Sequence, residues 1–389
     1  MLVDFALLTP MYVSLTWSLI LLISSRANHA RLFLGIFMLV VSMIFLSHLI
    51  YYQHFKAIYL HFDLIFIFGS LSIFPIYHWY MKILTFRSKI DMNDMKLLLP
   101  AFALLATTSV TYLLMPHALK HYYINEYLYG NGKWHGAAVL IKIQLVLCYT
   151  LQGVYFLQII YFFLKIRVFI TNYNENIANF YSNLEDKTLE WPKIILYTFV
   201  VTSIFSMITN FLGRSFFDKY PILLLLTGIG YSLFLFVLGY LGYMQNHTVA
   251  MLEEDTSISE ENQTTEAPTN RKIKSQLQKL FEKEKIYTNK ELKISDIATK
   301  LHSNRTFLST FINAEYGCSF NTFVNQYRVE EAKKLLTSDE NSSFSLDYIT
   351  AQVGFGSLHS FIRVFKDITN STPGRFREQT QTNQNDKME

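Results

Sequence analysis

Arg305, Thr306, Ser309, Thr310 and Asn313 share one face of a helix if residues 305–313 are helical, and Phe307, Leu308, Phe311 and Ile312 share the other. A second stretch repeats the division. Phe361, Val364 and Phe365 form its apolar face, while Leu358, His359, Ile362 and Arg363 project outward. A planar guanidinium matches the two acceptors of guanine, hydroxyls and amides suit several base edges, and Leu and Ile suit the thymine methyl group. Lys366, Arg375 and Arg377 are placed to hold phosphates. The chemistry on offer is readout of a DNA major groove; the plainer alternative, residue by residue, is a solvated helix face.

Such side chains need rigid elements behind them, and the sequence supplies these twice. Ile297-Ala298, Leu301, Leu308 and Ile312 are echoed by Ile349-Thr350, Val353, Phe361 and Phe365, with one more residue in the second turn. Each copy reads as a short helix, a tight turn and a second helix, with Asn304 and Ser357 as N-caps of the second helices. Phe320–Leu336 predicts a helix that holds the copies at fixed separation, and Ile273, Leu277, Leu280 and Phe281 form an apolar stripe ahead of them.

The residues Val353-Gly354-Phe355-Gly356-Ser357-Leu358-His359-Ser360-Phe361-Ile362-Arg363-Val364-Phe365-Lys366, followed by Thr372-Pro373-Gly374-Arg375-Phe376-Arg377, carry a resemblance. So do Leu308-Ser309, Gly317-Cys318-Ser319-Phe320 and Arg328-Val329-Glu330-Glu331-Ala332-Lys333-Lys334-Leu335-Leu336. Over residues 271–379 the chain resembles the AraC/XylS family of bacterial transcription activators. The resemblance implies two recognition helices in successive major grooves on one face of the duplex. It implies base-facing roles for Thr306, Ser309, Thr310, Leu358, His359, Ile362 and Arg363, all of which the face analysis also turns outward. Three positions depart from the family pattern: Thr350 stands where Ala is usual, Asn370 where Gly is usual and His302 where Gly is frequent.

The rest of the chain is of another kind. Apolar stretches of about 20 residues, the length a bilayer core requires, run Phe5–Ser24, Leu32–Tyr52, Ala57–Leu84, Leu97–Met115, Ala137–Leu164, Pro192–Leu212 and Pro221–Gln245. The first reads as a span and not as a secretory leader, since Asp4 replaces a basic start. With the carboxyl end inside, ten Lys/Arg fall in inner loops against five in outer loops, so the amino end is expected outside the cytoplasmic membrane. Charge divides accordingly: residues 1–252 hold 16 Lys/Arg against 10 Asp/Glu, 253–270 none against 6, and 271–389 18 against 14. The acidic, polar residues 253–270 read as a disordered linker reaching about 23 Å.

The expected architecture is therefore all-α. A transmembrane domain of seven helices (1–252) and the linker (253–270) precede a tandem helix-turn-helix domain (271–380) and a disordered tail (381–389). Phosphate-loop, zinc-protease, serine-hydrolase and kinase signatures are missing, and Cys148 and Cys318 lie too far apart in sequence to suggest a disulfide framework or zinc site. No enzyme activity, cofactor or metal is expected. The partners expected are double-stranded DNA, the lipid bilayer, a second copy of the chain and an unidentified small-molecule, ion or protein signal.

Six histidines, His48, His54, His61, His117, His121 and His135, map to the outer ends or loops, with Asp63 and Lys142 just inside the membrane. A carboxylate there has to face protein or water. One reading pairs Asp63 with Lys142 beside a histidine site responsive to pH, metal or ligand; the other makes the histidines interfacial and lets Lys142 snorkel. For the whole chain, the leading function is a membrane-bound one-component regulator. The alternative is a polytopic transporter or scaffold with an appended autoregulatory domain.

Overall fold

Long uninterrupted apolar stretches leave a helix as the only local structure that satisfies its own backbone polar groups, and the amino-terminal half is built from such helices. The computed structural model describes residues 2–86, 90–130, 132, 136–185, 193, 196, 197, 200, 201, 203, 204, 220–244, 270–337 and 344–385. Its first compact unit comprises residues 1–170 and 190–248, and its second 171–189 and 249–389.

In the first unit the long helices are α1 (Leu2–Ile23), α2 (His29–Tyr52) and α3 (Tyr59–Phe86). After the single turn α4 (Met92–Met95) come α5 (Leu99–Leu114), the short α6 (His117–Tyr122), α7 (Val139–Phe180) and α8 (Pro221–Met244). Helix α1 packs against α2 and α8, α2 against α3, and α3 against α5. Close approach replaces hydrophobic bulk at two of these seams. Ser18 donates to the Gly35 carbonyl at 2.9 Å, and Gly228 leaves the room that a Cβ would take from the Ala6 backbone. Large apolar side chains point away from the bundle, with Leu113 79% exposed and Val139 72%. Among the described residues, six helices are long and apolar enough to cross a membrane. Most of the span expected at Pro192–Leu212 lies outside the described residues, as do residues 253–269 of the expected linker.

Helix α7 differs from expectation in length. It runs 42 residues, about 63 Å at 1.5 Å per residue, where the apolar run predicted an end at Leu164. Lys165 and Arg167 end the apolar stretch, but no Gly or Pro stops the helix between Val154 and Phe180. Hydropathy marks where a helix stops being apolar, not where it ends. The last turns, from Thr171, belong to the second unit.

The second unit is helical as well. Helices α9 (Asn270–Glu282), α10 (Ile294–Lys300) and α11 (Arg305–Tyr316) lead to α12 (Phe320–Thr337). Then follow α13 (Leu346–Gln352), α14 (Leu358–Thr369) and α15 (Pro373–Asn385). Helix α15 thus continues past the boundary expected at residue 380. Its predecessors form the repeat read from the sequence: α10–turn–α11, then α13–turn–α14, with α12 between. The Asn304 side chain accepts from the Phe307 amide at 2.7 Å and Ser357 from the Ser360 amide at 3.2 Å, so both second helices are capped as expected. Two of the family departures adopt left-handed backbone: His302 has φ 52° and Asn370 φ 57°. Asn370 closes α14, its amide donating to the Lys366 carbonyl at 2.8 Å. Glycine carries no steric cost in that region, which explains why it is usual there.

Candidate nucleic-acid interface

The apolar faces of α11 and α14 fix their polar faces outward. In α11, Leu308, Phe311 and Ile312 are buried. In α14, Phe361 and Phe365 are buried in a cluster with Val329, Ala332, Ile349 and Val353. Phe361 meets Phe355 at 5.4 Å and Phe365 at 5.6 Å between ring centroids. Val364 packs against this cluster from its edge, and so does Leu358. Leu358 therefore divides its side chain between core and surface, whereas the sequence placed it outward.

The remaining candidates are distributed as follows. Thr306, Thr310 and Asn313 are exposed on α11, with Arg305 and Ser309 half-buried. His359, Arg363 and Lys366 are exposed on α14, Ile362 is half-buried, and Arg375 is exposed on α15. Arg377 is engaged elsewhere. Its guanidinium donates to the Phe344 carbonyl at 2.8 Å and ties α15 to the entry of α13. That bond gives Arg377 a structural task. Arg305 lies over the Phe180 ring, 5.4 Å from its centroid.

Sequence reasoning missed the residue at the centre of this unit. Arg328, on α12, is 1% exposed. Its Nε donates to the Tyr287 carbonyl at 2.8 Å, and Nη2 donates to the Asn289 carbonyl at 2.9 Å and the Ser182 hydroxyl at 3.1 Å. Nη1 reaches the Ser182 carbonyl at 3.2 Å and Asn325 Oδ1 at 3.4 Å. Burial pulls the guanidinium down to about 10, with Glu291 pulling the other way, so it stays charged at neutral pH. The signal was present. Phe320, Val324, Arg328, Ala332 and Leu336 recur every four residues, which places an arginine in the middle of a buried stripe. Nearby, burial alone would raise the Glu331 carboxyl, but Lys285 and Lys334 overcome it and hold the group below its ordinary value.

In the first unit, Asp63 is buried and accepts from Tyr59 at 2.8 Å and Tyr112 at 2.7 Å, and Gln144 donates to the Tyr112 hydroxyl at 3.1 Å. These tyrosines take the place that one reading gave to Lys142, which is half-buried. Hydroxyls satisfy the buried carboxylate without a second charge. Of the candidate histidines, those described are spread over α2, α3, α6 and the turn after α2. His48 packs edge-on against Phe66 at 5.0 Å, and His54, with φ 56°, lies beside Tyr129 at 4.9 Å. His61 is exposed on α3, the rings of His117 and His121 are 5.2 Å apart, and His135 lies outside the described residues. Among the described residues no three metal-ligating side chains converge.

A family model described as a helix-turn-helix domain matches residues 297–379. An uncharacterized helix-turn-helix type transcriptional regulator of Bacillus subtilis, YtdP, is 34% identical over 89 residues, 23% of this chain and 11% of that protein. The probable transcription factor PqrA of Proteus vulgaris is 33% identical over 90 residues, 23% of this chain and 71% of that protein. Among solved structures, the carboxyl-terminal domain of the two-component response regulator yesN from Fusobacterium nucleatum shares 30% identity. That match covers 27% of this chain and 96% of that one, with a TM-score of 0.24.

Proposed function

We propose a function from one premise: through its carboxyl-terminal domain this chain belongs to the AraC family of helix-turn-helix transcription regulators. The chain acts as a membrane-integrated, one-component regulator. Its amino-terminal helices span the cytoplasmic membrane with the amino end outside, and the tandem helix-turn-helix domain binds specific DNA in the cytoplasm. The observation that carries the reading is the pairing of six lipid-compatible helices with two capped helices whose outward faces bear Thr306, Thr310 and Asn313 on one and His359 and Arg363 on the other. Ser309 and Ile362 complete the base-facing set, with Leu358 contributing its exposed edge. Lys366 and Arg375 hold phosphates.

Arg363 is the sharpest test. Replacing it with Ala should weaken operator binding by about 1–3 kcal/mol and relax preference at one base pair, as for a guanine contact. Changing Lys366 should instead weaken all sequences alike and flatten the salt dependence. Uniform weakening by Arg363→Ala would remove the base-reading role.

The membrane unit receives the signal, and a second copy of the chain is its partner in the output. A segment such as 253–270 acting as a tether would set local concentration, so proximity of two DNA-binding domains is one variable the signal controls. Within the membrane unit, the Asp63–Tyr59–Tyr112 network is the candidate receiver, and His48, His54, His61 and Lys142 are further candidates for sensing. Asp63→Asn keeps the shape and removes the charge. It should lock a promoter reporter at one level whatever the growth condition, and a response equal to wild type would remove Asp63 from signalling.

A further inference from the structure

One short segment touches the amino ends of both candidate recognition helices. The end of α7 and the residues after it, 171–185, belong to the same compact unit as the DNA-binding domain. Tyr173, Ile177, Phe180 and Tyr181 are each no more than 3% exposed and lie at helical spacing, so this stretch is bound by its apolar side. Past the helix, Tyr181 pairs with Lys293 as an isolated antiparallel bridge, and the Ser182 amide donates to the Leu292 carbonyl at 3.1 Å. Ser182 caps the buried Arg328 guanidinium with its carbonyl and its hydroxyl. Its carbonyl also accepts from Asn321 at 2.7 Å. At one end of this segment Phe180 lies beneath Arg305, the first residue of α11. At the other end the Glu185 carboxylate accepts from the hydroxyl of Ser357, the N-cap of α14. The fit is close: a Cβ on Gly356 would run into Asn183 and Glu185.

The placement of Glu185 matters because of what else that place attracts. The amino end of a helix draws anions through its unpaired amides and its dipole, and in a DNA-bound helix-turn-helix the amino-terminal residues of the recognition helix enter the groove between phosphates. Glu185 places a carboxylate on Ser357, one residue before Leu358 and two before His359. It competes with a phosphate for the helix end and repels the backbone from it. Phe180 meanwhile occupies Arg305, a cation of the first recognition helix.

We propose that residues 171–185 form an intramolecular latch, continuous with a membrane-spanning helix, that holds the DNA-binding domain in a low-affinity state until α7 releases it. The latch rests on the DNA-binding reading above. Because α7 is one helix from Val139 to Phe180, a shift in the membrane unit reaches the latch without passing through residues 253–270.

The test uses the full chain in lipid nanodiscs and an operator duplex found by crosslinking, with affinity read by fluorescence anisotropy at about 0.1 M salt. Glu185→Gln is expected to bind the operator about fivefold more tightly than wild type. In a chain with Cys148→Ser and Cys318→Ser, the pair Glu185→Cys and Ser357→Cys should crosslink on oxidation. The oxidised protein should bind at least about tenfold more weakly than the same protein reduced. The latch is overturned if Glu185→Gln fails to tighten binding, if the pair does not crosslink, or if oxidation leaves affinity unchanged, while Arg363→Ala still weakens the operator complex. If Arg363→Ala has no effect and no sequence is preferred, the DNA reading itself fails and the latch falls with it.

Discussion

Arg328→Ala is expected to destabilise the carboxyl-terminal domain by about 3–5 kcal/mol, the cost of breaking a buried, fully bonded charged group. The side chain stitches α12 to the Tyr287 and Asn289 carbonyls ahead of α10 and to Ser182. Its loss takes the side-chain donor from the Tyr287 carbonyl and one bond each from the Asn289 and Ser182 carbonyls, and leaves a void beneath Phe355, over whose ring the guanidinium lies at 5.6 Å. Arg328→Lys keeps the charge but not the planar fork, and a single ammonium cannot reach acceptors on three sides. It should recover less than half of the loss. Thermal midpoints of limited proteolysis on intact membranes measure both variants. A shift in Arg328→Ala equivalent to less than about 1 kcal/mol would mean that the network contributes little.

Phe361→Ala should cost about 3–5 kcal/mol as well and abolish operator binding while leaving the chain in the membrane. Phe361 is fully buried between the Phe355 and Phe365 rings, and it sets the rotation of α14 that turns His359 and Arg363 outward. A truncated side chain leaves a cavity that neighbouring rings fill only in part. Reporter activity and cell fractionation measure the two halves of the prediction together. Wild-type repression or activation from Phe361→Ala would mean that α14 is not held by this cluster.

What was legible in the sequence is what depends on local spacing. The apolar faces of α11 and α14, the caps Asn304 and Ser357, and the spacer helix from Phe320 follow from periodicity and from hydrogen bonding within a few residues. His302 and Asn370 stood out as substitutions where glycine is usual, and both adopt the backbone conformation that explains the preference. What was not legible depends on partners far away in the chain. Arg377 read as a phosphate ligand because its charge is visible in sequence and its bond to Phe344 is not. One of the two readings of Asp63 paired it with Lys142 because opposite charge is the simplest remedy for a buried carboxylate, and tyrosine hydroxyls serve as well. Helix α7 read as ending at Leu164 because hydropathy was the criterion, so its last turns and the segment through Glu185 carried no signal. Their contacts with Arg305, Arg328 and Ser357 link residues more than a hundred positions apart.

The central claim is that one chain dissolves its front in lipid and sets its back on chosen DNA. Sequencing the DNA crosslinked to the full-length protein in washed membranes tests this most directly. A small set of recurrent sites sharing a motif, lost in Arg363→Ala, is the predicted result. Recovery of the chain from the soluble fraction, or crosslinks scattered evenly over the genome, would contradict it.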